Sequence, residues 1–266
     1  MERHPVYGLS AAERGWVPAL RYALRRQRVL RLVTELPHGR VLEVGCGAGA
    51  LLADLAGLGF ACEALETSET ACELAVYLNQ DRPDVRIHRE PREDWAERFD
   101  MLLALEVLEH IEDDASALRL WRSWIRPDGR LLLSVPARKA LWSASDVWVG
   151  HFRRYGRDGL LRLLANAGFV VEHDECYGYP LSNFTEWARR RLHGRSLRVA
   201  SRAGRTVDLA VNTARSGTQR NIETRLYPLQ ASWPGVKLFQ ACCWLQDRFL
   251  ERELGTGYLV MARRPR

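Results

Sequence analysis

Five consecutive residues, Glu106-Val107-Leu108-Glu109-His110, put two carboxylates and an imidazole within reach of one another. In a helical turn, offsets of three and four bring Glu106, Glu109 and His110 to one side. Carboxylate oxygens and an imidazole nitrogen suit a divalent cation such as Mg2+, Mn2+ or Zn2+. A fourth ligand, His151, is offered by the later loop Gly150-His151-Phe152-Arg153-Arg154-Tyr155. The histidines have a second use. An imidazole titrating near neutrality takes a proton from a hydroxyl without any metal, so His110 and His151 are also candidate general bases. Arg153 and Arg154 carry the forked donors that clamp a phosphate or carboxylate, with Tyr155 beside them as part of a substrate wall; the competing use of both arginines is to pair with the acidic cluster. Trp142, Trp148 and Tyr155 serve first as apolar packing area.

A second constellation lies upstream, where Glu43-Val44-Gly45-Cys46-Gly47-Ala48-Gly49 follows an apolar run and opens a helix-forming one. Its glycines admit close backbone approach to a ligand. The spacing is G-x-G-x-G rather than G-x-G-x-x-G, which weakens a dinucleotide reading. A carboxylate at Glu43 would repel a pyrophosphate and suits a ligand bearing an ammonium group. Cys46 is a small packing residue inside the turn rather than a catalytic thiol.

The stretch VLEVGCGAG at residues 41–49 resembles the first motif of class I S-adenosylmethionine-dependent methyltransferases, and the likeness extends over roughly residues 28–175 and the final strand. The resemblance implies S-adenosyl-L-methionine as cofactor, held by Glu43, Gly45, Cys46, Gly47 and Gly49. It implies that Glu66, with Thr67 after it, accepts hydrogen bonds from the ribose hydroxyls. Asp94 in Glu93-Asp94-Trp95 is then expected against the adenine amino group with Trp95 stacked on the ring, and Leu105 and Glu106 close the site from the fourth strand. The E-x-x-E-H pattern with a later histidine is similar to that of ubiquinone-pathway O-methyltransferases and small-RNA 3′-end 2′-O-methyltransferases. That likeness implies a Mg2+ or Zn2+ ion on Glu106, Glu109, His110 and His151, gripping two adjacent substrate oxygens.

These residues need elements to hold them. From Trp16 to Leu36 apolar residues recur at helical spacing among arginines, giving a leading amphipathic helix that Pro37-His38-Gly39 ends. Strands are expected at 40–44, 61–66, 85–89, 99–107, 130–135, 169–172 and 257–262, and helices at 50–58, 68–79, about 113–125 and 157–167, with Thr67 or Ser68 as a cap. Strands alternating with helices require crossovers on a parallel sheet. The expected fold is therefore α/β: a doubly wound, mostly parallel seven-stranded sheet with a helical insertion before the last strand. Residues 1–177 and 255–266 form the core, with 1–39 as a helical lead-in, and 178–254 form a helical cap too long to be structureless.

Composition narrows the partners. With 47% hydrophobic and 27% charged residues among 266, the chain can bury a sizeable core. Charge is uneven, net −4 over residues 1–150 and net +10 over 151–266. The basic half is expected to meet an anionic substrate or membrane surface, with Arg189, Arg190, Arg191, Arg195, Arg198, Arg202 and Arg205 on its basic face and Trp233, Phe239, Trp244 and Phe249 as apolar contacts. A homodimer surface is the alternative use of that insertion. The absence of an appended RNA-binding module disfavours nucleic acid. Six cysteines without C-x-x-C spacing suit free thiols in a reducing cytoplasm, and no apolar run approaches the roughly 18 residues that span a bilayer. The expected activity is O-methylation of a small hydroxylated substrate, hydrophobic or anionic, with or without metal; methylation at N or C, RNA 2′-O-methylation and a cofactor-binding scaffold are the alternatives.

Overall fold

The computed structural model describes residues 1–188 and 220–266. A short antiparallel pair, β1 (Glu2–His4) and β2 (Gly8–Ser10), precedes helix α1 (Leu20–Val33). The alternation then runs β3 (Arg40–Val44), α2 (Ala50–Gly57), β4 (Ala61–Leu65), α3 (Glu69–Leu78), β5 (Arg86–His88), β6 (Phe99–Leu105), α4 (Asp114–Trp124) and β7 (Ile125–Pro136). After β7 come a short helix α5 (Ala144–Val149), α6 (Arg157–Asn166) and β8 (Val170–Tyr177). Residues 181–188 are helical. Helices α7 (Asn221–Ala231) and α8 (Trp233–Asp247) lead into the last strand, β9 (Gly257–Arg263).

Seven strands form one sheet in the order β5-β4-β3-β6-β7-β9-β8, with β9 antiparallel between β7 and β8 and the other pairs parallel. The expected fold class is observed. Strand order reverses between β3 and β6, so a crevice opens at their carboxyl ends. Both sheet faces are covered, which is why β3, β4 and β6 are nearly all buried rather than alternating. One face packs Trp95, Phe99, Trp121 and Trp124 with α4 and α6; the other packs Val29, Val33, Leu51, Leu52 and Leu55 from α1 and α2.

Local details follow from capping and pairing. Ser68 caps α3, accepting from the Ala71 amide. β7 starts at Ile125, earlier than its turn residues suggest, because Ile125 pairs with Phe99 and Asp128 takes a left-handed φ of 63°. β8 runs to Tyr177 rather than ending near 172, since β9 pairs with it as far as Gly257. Tyr7, Val17 and Leu24 share a core with Tyr227, Phe239 and Cys243, which joins the leading segment to α7 and α8. The arginines at 189, 190, 191, 195, 198, 202 and 205, and most of the basic face expected there, lie outside the described residues. Among the described residues no helix is long and apolar enough to cross a membrane, and all six cysteines are free.

Arg28 of α1 is buried and donates bidentately to Glu175 of β8, 2.8 Å at each contact, while its third nitrogen reaches Asp247 of α8 at 2.8 Å. Removing the Glu175 carboxylate leaves the buried guanidinium with two of its three nitrogens unpaired and only the Asp247 contact of these three. Glu175→Ala is expected to cost about 3 to 5 kcal/mol in urea denaturation, whereas Arg31→Ala, whose side chain is 64% exposed beside Asp247, should change stability by less than about 1 kcal/mol.

Candidate active site

The turn after β3 is shaped for a ligand. Gly47 has φ 54°, and a Cβ built on it would meet nothing within 4 Å; at Gly45, with φ 67°, a Cβ would sit 2.5 Å from a Val107 methyl. Glu66, just past β4, fastens this turn: its Oε2 accepts from the Gly47 amide at 2.8 Å and its Oε1 from the Ser68 amide at 2.9 Å. Both oxygens keep lone pairs for a hydroxylated ligand. Gly49 caps α2. Burial holds the Cys46 thiol well up and un-ionised, the state of a packing residue.

Glu43 is buried on β3, its Oε2 without a hydrogen-bond partner. Burial pushes its carboxyl up to about 8; Arg25 opposes that rise, and the charges of Glu66 and Asp54 reinforce it. An orphaned carboxylate, an open glycine and a fixed acidic acceptor together fit a ligand with a cationic end and a diol.

The acidic cluster divides in two. Glu106 has a left-handed φ of 63° and precedes the 3-10 turn at Leu108–His110. It meets Arg21 of α1 at 2.5 Å, Arg25 at 3.9 Å, the Tyr177 hydroxyl at 3.0 Å and the Ser134 hydroxyl at 3.3 Å. Burial works against its charge, but Arg21 and then Arg25 hold it down at about 2. Glu106 is thus committed to arginines and lies outside the expected four-ligand set. Glu109, His110 and His151 do come together, one ligand atom of each lying within 4.8 Å of the others.

Glu109 is fully buried and neither of its oxygens has a hydrogen-bond partner. Burial raises its pKa well above the ordinary range, and the charge of Glu106 adds to the rise. His151 Nε2 lies 3.8 Å from Glu109 Oε1, and the His110 and His151 rings stand nearly perpendicular with centroids 4.7 Å apart. His110 Nδ1 lies 3.3 Å from the Gly150 carbonyl, which can only accept, so Nδ1 carries the proton and Nε2 the lone pair. Burial, helped by His151, lowers His110 to about 4, so it is neutral at pH 7. The Phe152 amide donates to the Glu109 carbonyl at 2.8 Å, stapling the two loops together.

Other expected contacts differ. Trp95 does not face the crevice: it is fully buried between His88, Phe99 and Trp124, in T-shaped contacts at 5.2 to 5.7 Å. Its neighbour Asp94 pairs with Arg92 and Arg98 at the surface. Leu105 is the buried end of β6, and Ser68 rather than the exposed Thr67 is the cap. Arg153 pairs with Asp114 at 2.6 Å. Arg154, 4% exposed, is consumed by Asp146 and Glu186, each at 2.6 Å. Tyr155 is buried with its hydroxyl on Asp114 at 3.0 Å. These three residues are structural partners of carboxylates, not an open substrate clamp. Missed from the sequence were Arg21, Arg25, Tyr177 and Asp146; only Asp146 had a local signal, the S-x-x-D cap at Ser143.

A family described as a methyltransferase domain matches residues 19–174, more than half of the chain. The chain belongs to that family. Its sheet is the Rossmann-like sheet of class I S-adenosylmethionine-dependent methyltransferases. Among its relatives, the ubiquinone biosynthesis O-methyltransferase of Thiobacillus denitrificans is 32% identical over 106 residues, 38% of this chain and 46% of that protein. Its counterpart in Xanthomonas euvesicatoria pv. vesicatoria is 32% identical over 156 residues, 52% of this chain and 65% of that one. The chain therefore spans less than two thirds of the length of these curated relatives. In fold it is similar to phosphoethanolamine N-methyltransferase 2 of Haemonchus contortus in complex with S-adenosyl-L-methionine, with a TM-score of 0.55, 13% identity and coverage of 91% of this chain and 52% of that one.

Glu43 yields a measurable signature. Between its ordinary value of 4.5 and about 8 the folded chain holds a proton that the unfolded chain has released, so stability without ligand declines as pH rises across that window. A ligand ammonium seated there favours the carboxylate. Titration calorimetry with S-adenosylmethionine in buffers of different ionisation enthalpy should show release of close to one proton at pH 7, vanishing above about pH 9 and in Glu43→Gln. Zero release at pH 7 overturns the placement.

Proposed function

We propose that the protein methylates a hydroxyl oxygen of a small catechol-like acceptor, lipid-linked or anionic, and that Glu109, His110 and His151 activate that hydroxyl. One observation carries the reading: a buried carboxylate with both oxygens unpartnered, flanked by two histidines, sits just past the carboxyl end of β6 beside the glycine turn. When bound, S-adenosylmethionine supplies an electrophilic methyl on a sulfonium sulfur. The chain has to hold the acceptor oxygen in line with that methyl and receive one proton. Glu66 and the Gly45–Gly49 turn hold the cofactor. His110 is neutral with Nε2 unprotonated, so it can accept the hydroxyl proton as the oxygen attacks.

The donor set also fits a divalent ion such as Mg2+ or Zn2+ on Glu109, His110 and His151: one carboxylate and two imidazoles, the carboxylate wanting countercharge. Such an ion would lower the acceptor hydroxyl's pKa. With catechol as probe acceptor and labelled S-adenosylmethionine, exhaustive EDTA treatment is expected to lower the rate at least about tenfold, and added Mg2+ or Zn2+ to restore it. Full activity in EDTA leaves the metal-free base; His110→Ala should then lower kcat on the order of a hundredfold.

A lipid-like acceptor accords with the outer helices. Leu226, Leu229, Trp233, Leu238 and Trp244 of α7 and α8 are between 56% and 74% exposed, among the exposed Arg225, Lys237 and Arg248. Exposed apolar area of this kind, rimmed by cations, suits an anionic bilayer more than water. Co-sedimentation with phosphatidylglycerol vesicles at low salt should show binding that the double substitution Trp233→Ala, Trp244→Ala weakens about tenfold or more. Binding to vesicles in neither form, with dimers in sedimentation analysis, assigns the face to a second copy instead.

A further inference from the structure

Asp146 stands behind His151. It is 1% exposed at the start of α5, where its Oδ2 accepts from the Ser143 amide at 2.8 Å and the Ser143 hydroxyl at 3.1 Å, closing a capping box. Its other oxygen, Oδ1, accepts from Arg154 Nε at 2.6 Å and faces His151 Nδ1 at 3.1 Å. Arg154 reaches on to Glu186 Oε1 at 2.6 Å, in the helical stretch 181–188.

The donors around that carboxylate dictate a proton position. An ionised carboxylate only accepts, so the hydrogen in the contact at Oδ1 belongs to His151 Nδ1. The lone pair is then on Nε2, the atom that faces Glu109 at 3.8 Å. In the opposite tautomer a lone pair would face Asp146 and an N–H would point into the space shared with Glu109 and His110. That ring could neither accept a proton nor bind a cation.

We infer that Asp146 is a positioning residue for His151: it fixes the ring with Nδ1–H outward and the Nε2 lone pair toward Glu109 and His110, while Arg154 and Glu186 tie that setting to the insertion. The inference rests on reading Glu109, His110 and His151 as the acceptor-activating cluster. It extends that reading to residues that touch neither acceptor nor cofactor. Carboxylates behind imidazoles set tautomer and ring orientation in this way wherever histidines act as ligands or bases.

The substitution Asp146→Asn isolates the effect. An asparagine has one accepting atom where the aspartate has two, so its NH2 must oppose either the Ser143 amide or the Arg154 and His151 donors. Long-range 1H–15N spectra of the full chain labelled at histidine, at a fixed pH above neutrality, report the tautomer directly. The parent is expected to show His151 protonated at Nδ1. Asp146→Asn should move population to the Nε2–H form, Asp146→Glu should restore the parent pattern, and Ser143→Ala, which loses only the cap hydroxyl, should keep it. An Nε2–H ring in the parent, or an unchanged ring in a folded Asp146→Asn chain, overturns the inference; if that variant does not fold, the parent and Ser143→Ala spectra still decide. With catechol as probe, Asp146→Asn should lower kcat on the order of a hundredfold while the S-adenosylmethionine Kd stays within about twofold. A parent that binds no S-adenosylmethionine would sink the functional reading but leave the tautomer result standing.

Discussion

Two carboxylates three residues apart, the partly buried Glu106 and the fully buried Glu109, share one crevice, and the arginines of α1 pair with the first. Arg21 and Arg25, one turn apart on α1, both turn to Glu106, with Tyr177 and Ser134 completing its shell. Glu109 receives nothing comparable, and the charge on Glu106 raises its proton affinity further. Two bare carboxylates could not both ionise at this depth. The arrangement leaves one fixed anion and one carboxyl ready to take a proton or a cation, and it does so with the leading helix. Anything that displaces α1 therefore removes the arginines and changes the charge of the site.

The cofactor side of the crevice is governed by a different economy of partners. Glu66 spends one lone pair on each of two backbone amides, one in the glycine turn and one leading into α3. Glu66 thereby adds a side-chain tie to the backbone bond from the Gly45 amide to the Leu65 carbonyl at 2.7 Å, and is oriented before any ligand arrives. Glu43 is the converse: buried, with its Oε2 unpartnered and its carboxyl pushed up to about 8, it gains more than an exposed carboxylate would from a cationic ligand, because water no longer competes for its oxygens. On the proposed reading, a rigid acceptor for hydroxyls and a charge that waits for its counterion would divide the recognition of a sulfonium amino acid attached to a sugar.

What was legible in the sequence was local. The glycine turn between a buried strand and a helix, Ser68 as one of two cap candidates and the strand alternation all reside in short windows whose periodicity fixes them, and each is in place. Side-chain direction and distant partners were not legible. Trp95 sits in the right segment but points inward, because a short 3-10 turn aims it at Phe99 and Trp124 rather than at the crevice. Arg154 has the chemistry of a clamp, yet Glu186, 32 residues on, takes it. Arg21 looks like the solvated face of an amphipathic helix until its partner, 85 residues away, is known. Spacing within one turn of chain says which groups share an element; it says nothing about which buried charge will find which counterion across the fold.

That distinction bears on how the family's sheet can serve different acceptors. The residues proposed to hold the cofactor lie on β3, β4 and the loops directly after them, where the Gly47 amide donates to Glu66 and the Gly45 amide to the Leu65 carbonyl. Those proposed to act on the acceptor are also held from outside the sheet. His151 faces Asp146, which Arg154 links to Glu186 of the insertion, and Glu106 pairs with α1, whose core is shared with α7 and α8 through Leu24, Tyr227, Phe239 and Cys243. Arg28 binds α1 to β8 and α8 together. A change in the outer helices would therefore reach the acceptor side through ion pairs and packed side chains, and the glycine turn is connected as well: Ala48 shares a buried cluster with Leu9, Ala11 and Trp16 of the leading segment, and Arg25 of α1 acts on Glu43.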